Sequence, residues 1–179
     1  MIAHGVAAVV VDHGPSSARR GVDAVGAEAV RTMDEITRVV EADIEREGRA
    51  PQPWAEGRTG VSNAISYGAC EVAHRVGAAA IVSATFSGAT ARAVARNLPA
   101  QPIVAISPNP RVVGQLALCW GVSPQLGTTR GSFEEVVHEA SDLVLANGFG
   151  ERGQVVVITA GLQTNQSGKT NLIKAHMPE

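Results

Sequence analysis

Aromatic residues are scarce in this chain, at 3% of 179 residues, which argues against a protein that binds nucleic acid by stacking bases on aromatic rings. Charge is low and nearly balanced, with a formal net charge of −2. Neither nucleic acid nor an acidic membrane surface therefore has an electrostatic reason to bind. The apolar fraction of 45% is enough for one domain with a sizeable core. We expect no nucleic acid and no membrane among the partners.

Long hydrophobic runs are absent, since no stretch approaches the ~20 residues that a helix needs to span a bilayer. The N-terminus has no basic segment ahead of an apolar one, so we do not expect a signal peptide. The only two cysteines, Cys70 and Cys119, lie far apart in apolar segments, and we interpret them as buried, reduced thiols. These features predict a cytoplasmic protein.

Between residues 80 and 97 the pattern predicts a strand, a tight polar turn and a helix. Residues 80–84 form a short apolar run of strand length, and residues 85–88 interrupt it with small and hydroxyl-bearing side chains. The N–H groups of such a turn and of the first helical turn have no intrahelical acceptor and can bind an anion. Ser87 and Thr90 have a simpler interpretation as N-caps of the helix. The two interpretations are compatible because both use the same amides.

Strands and helices alternate along the rest of the chain. Apolar runs predict strands over residues 101–107, 121–126, 154–160 and 171–176, and helical periodicity separates the first three of them. This order is typical of an open, mostly parallel α/β sheet, whose ligands bind beyond the carboxyl ends of the strands. Upstream, apolar residues at helical spacing predict helices over residues 26–47 and 62–76. The apolar stripe of the first helix is either core or a surface for a partner subunit.

Several familiar motifs do not fit their context. Residues 148–153 match GxGxxG but follow a helix and precede a strand, so they form no dinucleotide-binding turn. Residues 167–170 resemble the end of a P-loop, but Gln163 replaces the required glycine and a strand follows. No two of the five histidines lie at metal-ligand spacing on one helix face. We therefore expect no metal site.

Residues 64–126 and 153–176 carry a resemblance to a known family. The segments TFSGATARAVARN, PIVAISPNP and VVVITAGLQTNQSGKTN resemble the C-terminal domain of pyruvate kinase, and EAVRTMDEIT resembles the helix that leads into it. The resemblance covers roughly residues 27–176, apart from a linker near residues 48–60. It implies an α/β fold: an open, mostly parallel five-stranded sheet with helices on both faces. In complete pyruvate kinases this domain takes part in subunit contacts and carries an effector site for a sugar phosphate or nucleotide.

The resemblance also implies which residues bind the effector. The family often has a cation directly after the glycine of its phosphate-binding turn, where this chain has Ala89, and many relatives have threonine where this chain has Lys169. One cation is lost and another gained, so we expect an anion site of altered selectivity. Its predicted residues are Thr85, Ser87, Gly88, Ala89 and Thr90 in the first loop, and Ser167, Gly168, Lys169 and Thr170 in the second.

The family's catalytic machinery is expected elsewhere. Phosphoryl transfer from phosphoenolpyruvate to ADP uses magnesium and potassium, which the family holds on a barrel of ~250 residues. Only about 25 residues precede the homologous helix here. We therefore expect no catalytic residue, metal or cofactor in this truncated chain, and whether it is an enzyme stays open.

The predicted organisation has three parts. Residues 1–25 form a degenerate segment with one strand over residues 6–11, residues 26–60 form a lead-in helix and linker, and residues 61–179 form the α/β domain. The predicted function is binding of a phosphorylated small-molecule effector, together with self-association or association with a pyruvate kinase subunit. The alternatives are an autonomous small enzyme acting on phosphate esters and an interaction module for a pyruvate kinase subunit.

Overall fold

A computed structural model describes residues 22–46, 60–128, 132–161 and 170–179. The chain divides into two compact units, Met1–Ala50 and Pro51–Glu179. The described part of the first unit is helix α1 (Val22–Arg46). It begins at Val22 rather than at the predicted Gly26, because a glycine inside a helix costs only about 1 kcal/mol and does not force a start there. The strand predicted over residues 6–11 lies outside the described residues.

The second unit alternates helices and strands as the sequence predicts. Each predicted element of this unit is present within a few residues of its expected bounds. The elements are α2 (Val61–Arg75), β1 (Ala80–Ala84), α3 (Ala89–Ala95), β2 (Ile103–Ser107), α4 (Pro110–Leu116), β3 (Val122–Leu126), α5 (Phe133–Ala146), β4 (Val156–Ala160) and β5 (Leu172–His176).

The five strands form one sheet in the order β3-β2-β1-β4-β5. β1 pairs in parallel with β2 and β4, β2 pairs in parallel with β3, and β5 pairs antiparallel with β4 at one edge. The three central strands are buried along their whole length, whereas the edge strands are largely half-buried. Continuous apolar runs are what parallel strands covered on both faces require. The predicted open, mostly parallel sheet is therefore confirmed.

Helices cover both faces of the sheet, because successive side chains of a strand point to opposite faces. Ile81, Ile103 and Val157 pack with residues of α2 and α3 on one face. Val82 and Ile158 pack with residues of α5 on the other. This arrangement confirms the predicted layers.

Local signals in the sequence account for where the helices end. Ser132 and Glu135 form a reciprocal capping box at the start of α5. Gly77, with φ +61°, ends α2 as predicted, and the N–H of Ala78 donates to the carbonyl of Ala73 at 2.9 Å. At the start of α4, the Asn109 side chain accepts from the N–H of Arg111, and Pro110 occupies the first helical position.

The two cysteines differ in environment. Cys70 is buried, as expected, whereas Cys119 is only half-buried, which corrects the prediction of two buried thiols. Burial raises the pKa of the Cys70 thiol to about 12, so this thiol stays protonated at neutral pH.

Candidate functional site

The strand order places one topological switch point at the carboxyl edge of the sheet. From β1 the chain steps to β2 and β3 on one side, and then crosses to β4 on the other side of β1. β1 and β4 therefore flank a topological switch point, which is where open α/β sheets in general bind their ligands. The loop after β1 is the predicted phosphate-binding turn, and the loop after β4 is the predicted second loop.

A hydroxyl group closes the turn after β1. The N–H of Gly88 donates to the Oγ1 of the buried Thr85 at 3.0 Å. Gly88 is the N-cap of α3 with φ +80°, a backbone conformation that glycine adopts without strain. No side chain caps this helix, so the prediction that Ser87 or Thr90 acts as N-cap is wrong. The reason is that Gly88 occupies the N-cap position, and glycine has no side chain with which to cap the helix.

The same bond changes which amides can face an anion. The Gly88 N–H is used within the turn and is not free, contrary to the sequence-based expectation. The first N–H of the helix proper belongs to Ala89, which is exposed and carries only a methyl side chain. No acidic residue lies in the first turn of α3. The Gly88 amide is therefore not available to an anion at this end of the helix.

A hydrogen bond joins the ends of the two predicted loops. The hydroxyl oxygens of Thr90 and Thr170 lie 2.5 Å apart, and both residues are buried. The contact joins α3 to the residue that leads into β5, across 80 positions of the chain. The described ends of both loops therefore lie on the same side of the molecule. The predicted residues Ser167, Gly168 and Lys169 lie outside the described residues.

A cation that the sequence analysis did not assign to the site, Arg92 of α3, contacts the turn. The Arg92 guanidinium donates from Nη1 to the carbonyl of Ser87 at 2.9 Å and from Nη2 to Oε1 of Gln115 at 3.2 Å. A Cβ atom built on Gly88 would lie 2.7 Å from the same Nη1, so the guanidinium covers the turn closely. An arginine has five N–H donors, and these two bonds use two of them. A positive charge is therefore fixed beside the turn although Ala89 carries none.

A signal for Arg92 was present in the sequence. Side chains in an α-helix point back toward its N-terminus, onto the residues three and four positions earlier. Arg92 lies four positions after Gly88, and it therefore reaches the turn that precedes α3. Its second partner, Gln115 on α4, depends on the packing of two separate helices and had no local signal.

A second group of cations lies away from this edge. On β5, the pKa of His176 is lowered by burial and by the nearby charges of Lys174 and His138, and it is raised in part by Glu179. His176 pairs with Val156 at the start of β4, which is the opposite end of the sheet from the two loops. This cluster is therefore separate from the candidate site.

The described residues hold neither a metal-ligand cluster nor a membrane-spanning helix. Within these ranges, no group of three or more histidine, cysteine, aspartate or glutamate side chains is placed to hold a metal ion. None of the helices in the described ranges is long and apolar enough to cross a membrane.

The fold and this edge together define an α/β domain whose sheet has a topological switch point between β1 and β4. The family model "Pyruvate kinase, alpha/beta domain" matches residues 63–176. The chain is 36% identical over 152 residues to pyruvate kinase of Clostridium acetobutylicum, covering 85% of this chain and 32% of that protein. It is also 36% identical over 154 residues to pyruvate kinase of Geobacillus stearothermophilus, covering 84% of this chain and 26% of that one.

A solved structure agrees with these matches. The structure of a pyruvate kinase from Cryptosporidium parvum superposes with a TM-score of 0.63 at 28% identity, covering 70% of this chain and 24% of that one. The chain belongs to the pyruvate kinase family, and its second unit is the family's α/β domain. It spans about a third or less of the length of these relatives.

Proposed function

We propose that this chain binds a phosphorylated small molecule at the turn after β1 and associates with further subunits, as the effector-binding and subunit-association domain of a pyruvate kinase. The observation that carries the binding proposal is the Thr90–Thr170 hydrogen bond, which holds the ends of the two loops together. A site built from both loops requires that they lie side by side at the switch point.

The chemistry of the turn favours a phosphate monoester. The guanidinium of Arg92 and the exposed end of α3 at Ala89 both attract negative charge. A phosphate group offers several acceptor oxygens to such donors, and guanidinium groups bind it in a planar, two-point geometry. The ligand class is therefore a sugar phosphate or a nucleotide, recognised first through its phosphate.

Thermal denaturation tests this proposal. A ligand that binds only the native state raises the melting temperature by mass action, so sugar monophosphates and nucleotides at millimolar concentration are expected to raise it by several degrees. The matched controls are the parent sugars and nucleosides without phosphate, which are expected to leave it unchanged. An equal shift with phosphorylated and unphosphorylated compounds, or no shift with any of them, would contradict the proposal.

The association proposal is supported by helix α1. Ile36 and Val39 of α1 are 48% and 65% exposed, although the sequence places them on the apolar face of that helix. Exposed apolar side chains on one face of a helix favour burial against another chain.

Multi-angle light scattering tests the association. The purified chain is expected to elute as a dimer or larger assembly, and an Ile36→Gln/Val39→Gln variant is expected to shift toward monomer because it removes apolar area from the contact. A Glu28→Gln/Arg31→Gln variant, which alters two exposed polar positions of the same helix, serves as control. A monomer at the highest attainable concentration would refute the association.

A further inference from the structure

Two hydroxyl groups at the centre of the sheet have no hydrogen-bond partner among the described residues. They are the Oγ of Ser83 on β1 and the Oγ1 of Thr159 on β4, and both residues are 0% exposed. The parallel register pairs Ser83 directly with Thr159. Buried hydroxyl groups in folded proteins are nearly always bonded to protein or to an ordered water. Two orphaned hydroxyls side by side therefore indicate one shared partner.

Helix α2, which packs on this face of the sheet, carries a third buried hydroxyl, that of Ser66. Two residues earlier on the same face, Ile81 and Val157 pack against Cys70 and its neighbours in α2. The short connection after α2 reverses the chain, so α2 runs antiparallel to β1. One helical turn back toward the start of α2 therefore covers about the same distance as two residues forward along β1. That step leads from Cys70 to Ser66, which is buried and whose Oγ donates to the carbonyl of Ser62 at 2.7 Å. The Ser66 oxygen can still accept a hydrogen bond.

The layer formed by these residues is small and polar. Cys70, Ile81 and Val157 form the apolar layer beneath, and of the two strand positions only Ser83 is clearly smaller than its counterpart, Ile81. A buried water typically makes about three hydrogen bonds to otherwise unsatisfied polar groups. We propose that one water molecule is bound between α2, β1 and β4, with Ser83 Oγ, Thr159 Oγ1 and Ser66 Oγ as its partners. This site is independent of the proposed effector binding.

A double-mutant cycle tests the shared water. Ser83→Ala and Thr159→Val each remove one hydroxyl with little change in shape, and each is expected to raise the unfolding equilibrium constant about fivefold in denaturant titrations. The water contributes little to stability once either of its partners is gone. The double variant is therefore expected to raise the unfolding equilibrium constant by much less than 25-fold, the product of the two single effects. Ser141→Ala is the control, since its buried Oγ bonds to the carbonyl of Val137 at 2.8 Å. Combined with Thr159→Val, it is expected to be additive.

Three outcomes would overturn the proposal. A single variant that stabilises the protein would show that the hydroxyls are buried dry and unpaired, because removing an unpaired polar group relieves its desolvation cost. Additive effects of Ser83→Ala and Thr159→Val would show two separate partners. A crystal structure of the wild-type chain that resolves ordered waters is expected to show density between the two oxygens. Empty density there would refute the site even if a variant failed to fold.

Discussion

Replacing Arg92 with glutamine is expected to weaken binding of the phosphorylated ligand about tenfold. Hydrogen bonds to charged groups contribute about 1.5–3 kcal/mol, and partial solvent exposure of this side chain favours the lower end of that range. Glutamine keeps an uncharged side chain with an N–H donor but removes the charge. Isothermal titration calorimetry with the ligand that gives the largest thermal shift measures the effect.

Arg96→Gln is the matched control for this prediction. Arg96 is the residue directly after α3, it is exposed, and its removal lowers the net charge by the same amount. We expect it to change the dissociation constant less than twofold. Equal weakening by both variants would assign the effect to overall charge, and no weakening by Arg92→Gln would leave Arg92 as a structural link between the turn and α4.

Gly88→Ala is expected to destabilise the second unit by about 2 kcal/mol and to lower its melting temperature by on the order of 5–10 °C. The left-handed conformation with φ +80° costs a residue with a side chain about 1–2 kcal/mol. The added Cβ would also lie 2.7 Å from Nη1 of Arg92 and 3.2 Å from Cδ2 of the fully buried Leu116. Thermal and denaturant unfolding measure the loss.

Gly114→Ala separates this effect from a general intolerance of alanine. Gly114 lies within α4, and a Cβ built there meets nothing within 4 Å. Because alanine favours the helix over glycine by about 1 kcal/mol, this control is expected to stabilise the protein. If Gly88→Ala were as stable as the wild type, the turn would be free to rearrange and would not hold Arg92 in a fixed position.

Both predictions concern the turn after β1, whose position could be predicted from the sequence but whose hydrogen bonding could not. The turn itself was predictable, because small hydroxyl-bearing residues between an apolar run and an alanine-rich segment indicate strand, turn and helix. How the turn is closed was not predictable. The Thr85 hydroxyl accepts a hydrogen bond from the Gly88 N–H, and Gly88 itself occupies the N-cap position. Three hydroxyl residues lie within six positions of the chain, and only the backbone geometry decides which of them accepts from Gly88.

The position of the second loop is a contrasting case. The resemblance assigned Thr170 to the site, and the structure places its hydroxyl 2.5 Å from that of Thr90. The chemical suitability of residues 167–169 stays a prediction, since they lie outside the described residues. Arg92, by contrast, was not assigned to the site from the sequence, although its spacing from Gly88 contained the necessary signal.

Periodicity and composition were sufficient to predict the strands, the helices and the α/β class. The reason is that side-chain alternation and helical spacing are local properties of the chain. The insertion of β4 beside β1 is not local, since it depends on how α5 crosses the sheet and packs on its far face. That insertion pairs Ser83 with Thr159 and brings the two loops to one edge. The helices and strands could therefore be predicted from the sequence alone. The candidate site depends on which strands are neighbours, and packing across the sheet determines that.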